Sequence, residues 1–132
     1  MIGRVLPLSL YTGLSLAACT PQGSDPDGPF TPDYRGVETL LLDDDLVEIR
    51  VSMAGARTAQ DVEDYIECAA AQYALIRGYG FTRHLRTKVQ EKAGAWAGDA
   101  VYTISPSLPR GLRTLDAEVV VQNCAENRIP TV

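Results

Sequence analysis

The chain reads as a small α+β domain: an antiparallel sheet of about five strands with one helix packed on one face, in the order ββαβββ. Three observations carry that expectation. Residues Leu46 to Met53 alternate apolar and polar, which is the period of a half-buried strand. Residues 58–79 instead repeat their apolar side chains at helical spacing. The remaining apolar runs are joined by hairpin-length connections, which favour antiparallel neighbours and leave one helix to cover one sheet face.

In chain order, Val37 to Leu42 is expected to pair with the following strand as a hairpin. Asp43-Asp44-Asp45 between them reads as a solvated turn, because three consecutive carboxylates diverge whereas a cation cage needs converging oxygens. In the second strand Val47, Ile49, Val51 and Met53 share one face, with Glu48, Arg50 and Ser52 on the other. Thr58 can cap a helix through its hydroxyl, and Asp61 can face the first-turn amides. The helix is expected to run to about Tyr79, with Val62, Tyr65, Ile66, Ala69, Tyr73 and Ile76 on one face. Gly78 and Gly80 end it; a phosphate loop needs its glycines where a helix starts, so Gly78-Tyr79-Gly80 is not one. Phe81 to Glu91 reads as a strand, Ala93 to Gly98 as a small-residue loop and Asp99 to Ser105 as another strand. Pro106 to Gly111 reads as a turn and Leu115 to Gln122 as the last strand.

With 132 residues there is room for one domain. The division expected is a leader over 1–18, a tether over 19–36 and the folded domain over 37–132. Arg4 precedes an apolar stretch from Val5 to Leu16, too short for a permanent membrane span and suited to a signal peptide. The tether holds four of the eight prolines among glycines and aspartates, a composition that stays extended. The formal net charge is −5, and removing the leader's single cation leaves 11 basic against 17 acidic residues, or −6. That balance argues against a nucleic-acid binder, which needs a concentrated basic face.

Leu16-Ala17-Ala18-Cys19 resembles the lipobox of bacterial lipoproteins. The resemblance implies cleavage before Cys19 and lipid on that cysteine, hence a membrane anchor; an ordinary secretory leader with a chance cysteine is the alternative. Thr20 stands where an aspartate is the usual inner-membrane retention signal, which implies the outer membrane, facing the periplasm.

Within the domain, Val47-Glu48-Ile49-Arg50-Val51 with Gly55, then Thr58, Val62 and Tyr65, then Ala69-Ala70 and Gly78-Tyr79 with Phe81, form a second resemblance. From Gly36 to Phe81 the chain is similar to a family of small alphaproteobacterial envelope lipoproteins of uncharacterised function. These residues are fold determinants, so the resemblance implies an architecture and transfers no catalytic residue. From Arg83 onward no likeness is claimed.

Candidate chemistry is sparse. Once Cys19 carries lipid, Cys68 and Cys124 remain as an even pair, which in an oxidising compartment reads as a disulfide. Helical periodicity puts Cys68 beside the buried stripe, but strand alternation puts Cys124 opposite Ala117, Val119 and Val121, so a bulge or strand end near Asn123 is needed. Cys68, Cys124 and the only histidine, His84, are alternatively metal ligands or a nucleophile and base, without the paired spacing such sites show. His84 alternates with Thr82, Arg86 and Lys88, which places it on a solvated outer face. Arg83, Arg86, Lys88 and Lys92 form a basic cluster split by parity across two faces; they read as sheet surface, with anionic lipid or peptidoglycan contact as the alternative. Trp96 sits among small residues, either exposed as an anchor for a partner or folded onto the sheet edge. The expectation is a non-enzymatic envelope protein that binds a protein or cell-wall partner and uses no cofactor. A small periplasmic metal or thiol protein using Cys68, Cys124 and His84 is the competing class.

Overall fold

Strand β1 (Asp33–Asp43) and strand β2 (Leu46–Ala54) form the expected hairpin in the computed structural model, which describes residue 3, residues 29–108 and residues 114–132. The turn falls on the aspartate run, where the Asp44 amide donates to Asp43 Oδ1 at 2.8 Å. Pairing starts at Asp33, opposite Ala54, so the fold begins four residues before the expected boundary at residue 37. The leader, Cys19 and the tether up to residue 28 lie outside the described residues, apart from Gly3.

Helix α1 (Ala59–Ile76) begins as expected, with Thr58 Oγ1 accepting from the Gln60 amide at 3.2 Å. It stops three residues before the expected end. Gly78 takes a φ of +83°, which glycine adopts without Cβ strain, and the Tyr79 amide turns back onto the Ala74 carbonyl at 2.8 Å.

Strands β3 (Phe81–Lys92) and β4 (Ala95–Ser105) form a second hairpin. The expected loop over Ala93 to Gly98 is only a two-residue turn, and Gly98 belongs to β4. Ala93 and Gly94 both have positive φ, 52° and 81°, as the tightest hairpin turns require. Strand β5 (Thr114–Asp116) pairs with the start of β3, giving an antiparallel sheet of order β1-β2-β4-β3-β5. The crossover through α1 leaves a slot between β2 and β3, and β4 fills it.

The expected last strand over Leu115 to Gln122 is the main correction. Only three residues are strand; Ala117–Glu126 form a second helix, α2, so the order is ββαβββα. Asp116 caps it by accepting the Glu118 and Val119 amides, at 3.0 and 3.3 Å. Valines 119–121 suggested a strand, but each costs only a few tenths of a kcal/mol in a helix. Burial of Ala117, Val120 and Cys124 along one helical stripe outweighs that.

The core lies between α1 and the sheet, where Val47, Ile49, Met53, Val62, Ile66, Ala69 and Ala100 are fully buried. A Cβ on Gly98 would lie 2.6 Å from Ile66 Cδ1 and 2.7 Å from Val62 Cγ1, so this glycine lets α1 approach the sheet. Residues 68–71 are buried on every side of the helix, because the sheet covers one side of α1 and α2 packs against another.

Candidate functional site

A bulge in β3 decides which of its side chains can take part in a site. The register slips between His84 and Arg86, leaving Leu85 as the extra residue. Thr82 and His84 lie opposite Ile104 and Tyr102, and beyond the bulge Thr87 and Val89 lie opposite Ala100 and Gly98. All four of those β4 residues are buried on the helix side. Inward parity therefore changes from even to odd numbers at Leu85. His84 faces inward, contrary to the solvated outer position expected from simple alternation. Arg83, Arg86, Lys88 and Lys92 all fall on the open face of the sheet, where simple alternation split them.

His84 enters a cleft of about 410 Å³ between α1 and β3, lined also by Gln60, Glu63 and Glu67 of α1, Thr87, Tyr102 and Leu115. Glu63 and Glu67 are one helical turn apart and Gln60 precedes them by three residues, so α1 presents all three as a ridge. On the sheet side the His84 ring meets the Tyr102 ring edge-on, with centroids 5.2 Å apart. His84 Nε2 and Thr87 Oγ1 share a hydrogen bond of 2.5 Å.

The electrostatics of the cleft are negative. Burial, with Asp64 nearby, pushes the Glu67 carboxyl above its ordinary pKa. Burial also pushes the Tyr102 hydroxyl well up, and the charges of Glu67 and Glu63 add to the shift. Neither glutamate has an ion-pair partner among the described residues.

A second groove, of about 330 Å³, runs between α1 and α2, with Cys68 and Cys124 in its wall. Their Sγ atoms lie 2.03 Å apart, at disulfide distance, and their Cα atoms 6.0 Å apart. The helical form of α2 removes the geometric objection, since Cys124 follows Val120 by one turn on the buried side. Nearby, the Arg57 guanidinium donates to both Asp61 oxygens, at 2.8 and 3.1 Å, and stacks 3.8 Å over the Phe30 ring. That hydrogen bonding holds the Asp61 carboxyl below its ordinary pKa.

Cys68 and Cys124 line the α1–α2 groove while His84 lines the other cleft, so the three residues of the thiol or metal reading are not brought together. Among the described residues, no three His, Cys, Asp or Glu side chains are placed to hold a metal ion. Trp96 is neither in a loop nor on a sheet edge. It stands half-buried in the interior strand β4, between Met53 and Glu91, and packs against the core.

The open face carries an ion-pair network. Arg50 bridges the buried Glu48 at 3.1 Å and Asp99 at 3.5 Å, and Arg86 reaches Asp99 at 3.2 Å. The basic side chains of β3 are thus partly neutralised in place.

Tyr102, Glu63 and Glu67 come together only in the folded structure. The inward phase of Tyr102 was legible beside Ala100 and Ile104, but its meeting with α1 depends on β4 inserting between β2 and β3.

No solved structure matches the chain. It is 29% identical over 104 residues to the uncharacterised 26.9 kDa protein in the nqo8 5′ region of Paracoccus denitrificans, covering 74% of this chain and 41% of that one. The chain thus spans about two-fifths of the relative's length. The YNQ4 C-terminal domain family, an uncharacterised family, matches residues 34–128, which extends the likeness well past Phe81 through β3, β4 and α2. With the sheet from Tyr34 onward and both helices inside that match, the chain belongs to the YNQ4 C-terminal domain family.

Proposed function

We propose that the protein is an envelope lipoprotein, held in the outer membrane by lipid on Cys19 and facing the periplasm, whose domain acts by binding and not by catalysis. The alphaproteobacterial envelope setting is supported by the likeness of residues 36–81 to such lipoproteins. The observation that carries the reading is the Cys68–Cys124 pair at disulfide distance, since such bonds persist in oxidising compartments. It agrees with the apolar leader and the lipobox-like residues before Cys19. A non-enzymatic role is supported by the engagement of both domain cysteines with each other, which leaves neither as a thiolate nucleophile.

The full-length protein should incorporate a fatty-acid probe in cells and fractionate with outer-membrane markers. Cys19→Ser should abolish labelling. Persistent labelling of that variant, or co-fractionation of the parent with inner-membrane markers, would contradict the anchor or its placement.

A further inference from the structure

We propose that the β3 rim of the open sheet face rests on an anionic phospholipid surface, with Lys88 and Lys92 meeting the headgroup phosphates. This goes beyond the anchor proposed above, on which it rests for its membrane setting, by assigning the part of the domain that turns toward the bilayer.

The first observation is where positive charge collects. Lys88 and Lys92 are the only lysines in the chain, and the bulge at Leu85 puts both on the open face in one row with Arg83 and Arg86. No carboxylate stands in that row. Arg86 is held by Asp99 of β4. Arg83, Lys88 and Lys92 have no ion-pair partner among the described residues, and Arg83 Nε lacks a hydrogen-bond acceptor there. The carboxylates of Asp33, Glu38 and Asp43 lie on β1, at the opposite edge of the sheet.

The second observation is the reverse sign of the helical layer. Helix α1 carries Asp61, Glu63, Asp64 and Glu67, helix α2 carries Glu118 and Glu126, and neither contains a lysine or arginine. A chain of net charge −5 approaches an anionic surface only through a locally basic part, and the β3 rim supplies one. Four clustered basic residues reach the size of patch that reads as binding anionic lipid.

The third observation is independent of charge. Asp33, Ala54, Ala95 and Lys92 face one another in turn across β1, β2, β4 and β3, so the first residue of β1 and Lys92 share one end of the sheet. Strands about 4.8 Å apart put them about 14 Å from each other. Fourteen residues separate Cys19 from Asp33 and extend to about 40 Å at most, so a domain anchored at Cys19 can lay this end on the membrane. Lysines on a free strand edge also discourage pairing with another chain, and the test must separate the two roles.

Flotation of the full-length chain carrying Cys19→Ser with lipid vesicles examines the rim without the anchor, and the leader is common to every variant compared. The chain should partition into vesicles of phosphatidylglycerol and phosphatidylcholine in equal parts more strongly than into phosphatidylcholine alone. Lys88→Gln with Lys92→Gln should weaken partition into the anionic vesicles about tenfold, since each basic residue near such a surface adds attraction. Arg77→Gln with Arg128→Gln removes the same charge from exposed positions after α1 and α2, and should change partition less than about twofold. Salt at about 0.5 M should abolish the difference between the parent and the lysine variant. None of these four side chains makes an ion pair among the described residues, so all variants should keep the parent's circular dichroism. Equal partition into the two vesicle types, equal losses in the two double variants, or a lysine variant that binds like the parent would overturn the proposal. If that last variant also self-associates, the lysines guard the free edge of β3 instead. Fatty-acid labelling of the parent is a separate readout, so failure of the anchor and failure of the rim are distinguished.

Discussion

Asp61 shows how a single charged contact sets the corner where β2 gives way to α1. It accepts from the Arg57 backbone amide at 2.7 Å as well as from the guanidinium, and Arg57 in turn covers Phe30. Because the folded carboxyl is held below its ordinary value, its contribution is complete above about pH 4 and is lost as pH falls through the lower folded pKa. Asp61→Asn should therefore be less stable than the parent at neutral pH, with the gap closing in acid. Denaturant unfolding across that range checks it, and a gap that stays constant would contradict the assignment. Gly98 is the other decisive position. A methyl there would press on Ile66 and Val62, so Gly98→Ala should lose about 1–3 kcal/mol from overpacking. In a domain of this size each kcal/mol lowers the melting temperature by roughly 4–8 °C, which a thermal scan resolves.

At the scale of elements, what could be read from the chain was what local periodicity encodes. Val47 to Met53 alternate without interruption, and α1 carries a capping threonine and a stripe, so the strand and the start of the helix appear where expected, while the expected stripe fails at its end, where Ile76 is exposed. Where two periods compete, local reading fails. In α2 the run Val119-Val120-Val121 has strand propensity, while Asp116, Ala117, Val120 and Cys124 carry a cap and a helical stripe; packing on α1 decides between them. The inward turn of His84 was hidden for a different reason: one bulged residue reverses every assignment beyond it, and nothing in Arg83 to Arg86 announces the bulge. The candidate cleft was less legible still, since its walls come from α1, β3, β4 and β5 and exist only once the topology is known. If the cap on α2 matters as the geometry indicates, Asp116→Ala should cost about 1 kcal/mol. Hydrogen exchange should show the loss concentrated in the first turn of α2, and unchanged protection there would argue against it.

For the molecule as a whole, the Cys68–Cys124 pair is the largest single constraint. The two cysteines are 56 residues apart, and closing a loop of that length removes chain entropy worth about 4 kcal/mol from the unfolded state. Domains of this kind are stable by only about 5–15 kcal/mol in total, so reduction should lower the melting temperature by many degrees. Cys68→Ala and Cys124→Ala should be nearly equivalent, and the double variant little worse than either, because each opens the same loop. Two titratable thiols in the folded, unreduced protein would contradict the bond. The placement of that bond divides the chain unevenly. The β1–β2 hairpin lies outside it, while β3, β4, β5, the second half of α1 and most of α2 belong to one covalent ring. A protease that cuts once anywhere between the two cysteines turns the ring into a linear branch but releases no fragment. The nicked protein keeps its full mass until a reductant parts the two pieces, so cleavage inside the ring is invisible to any assay of size that omits one.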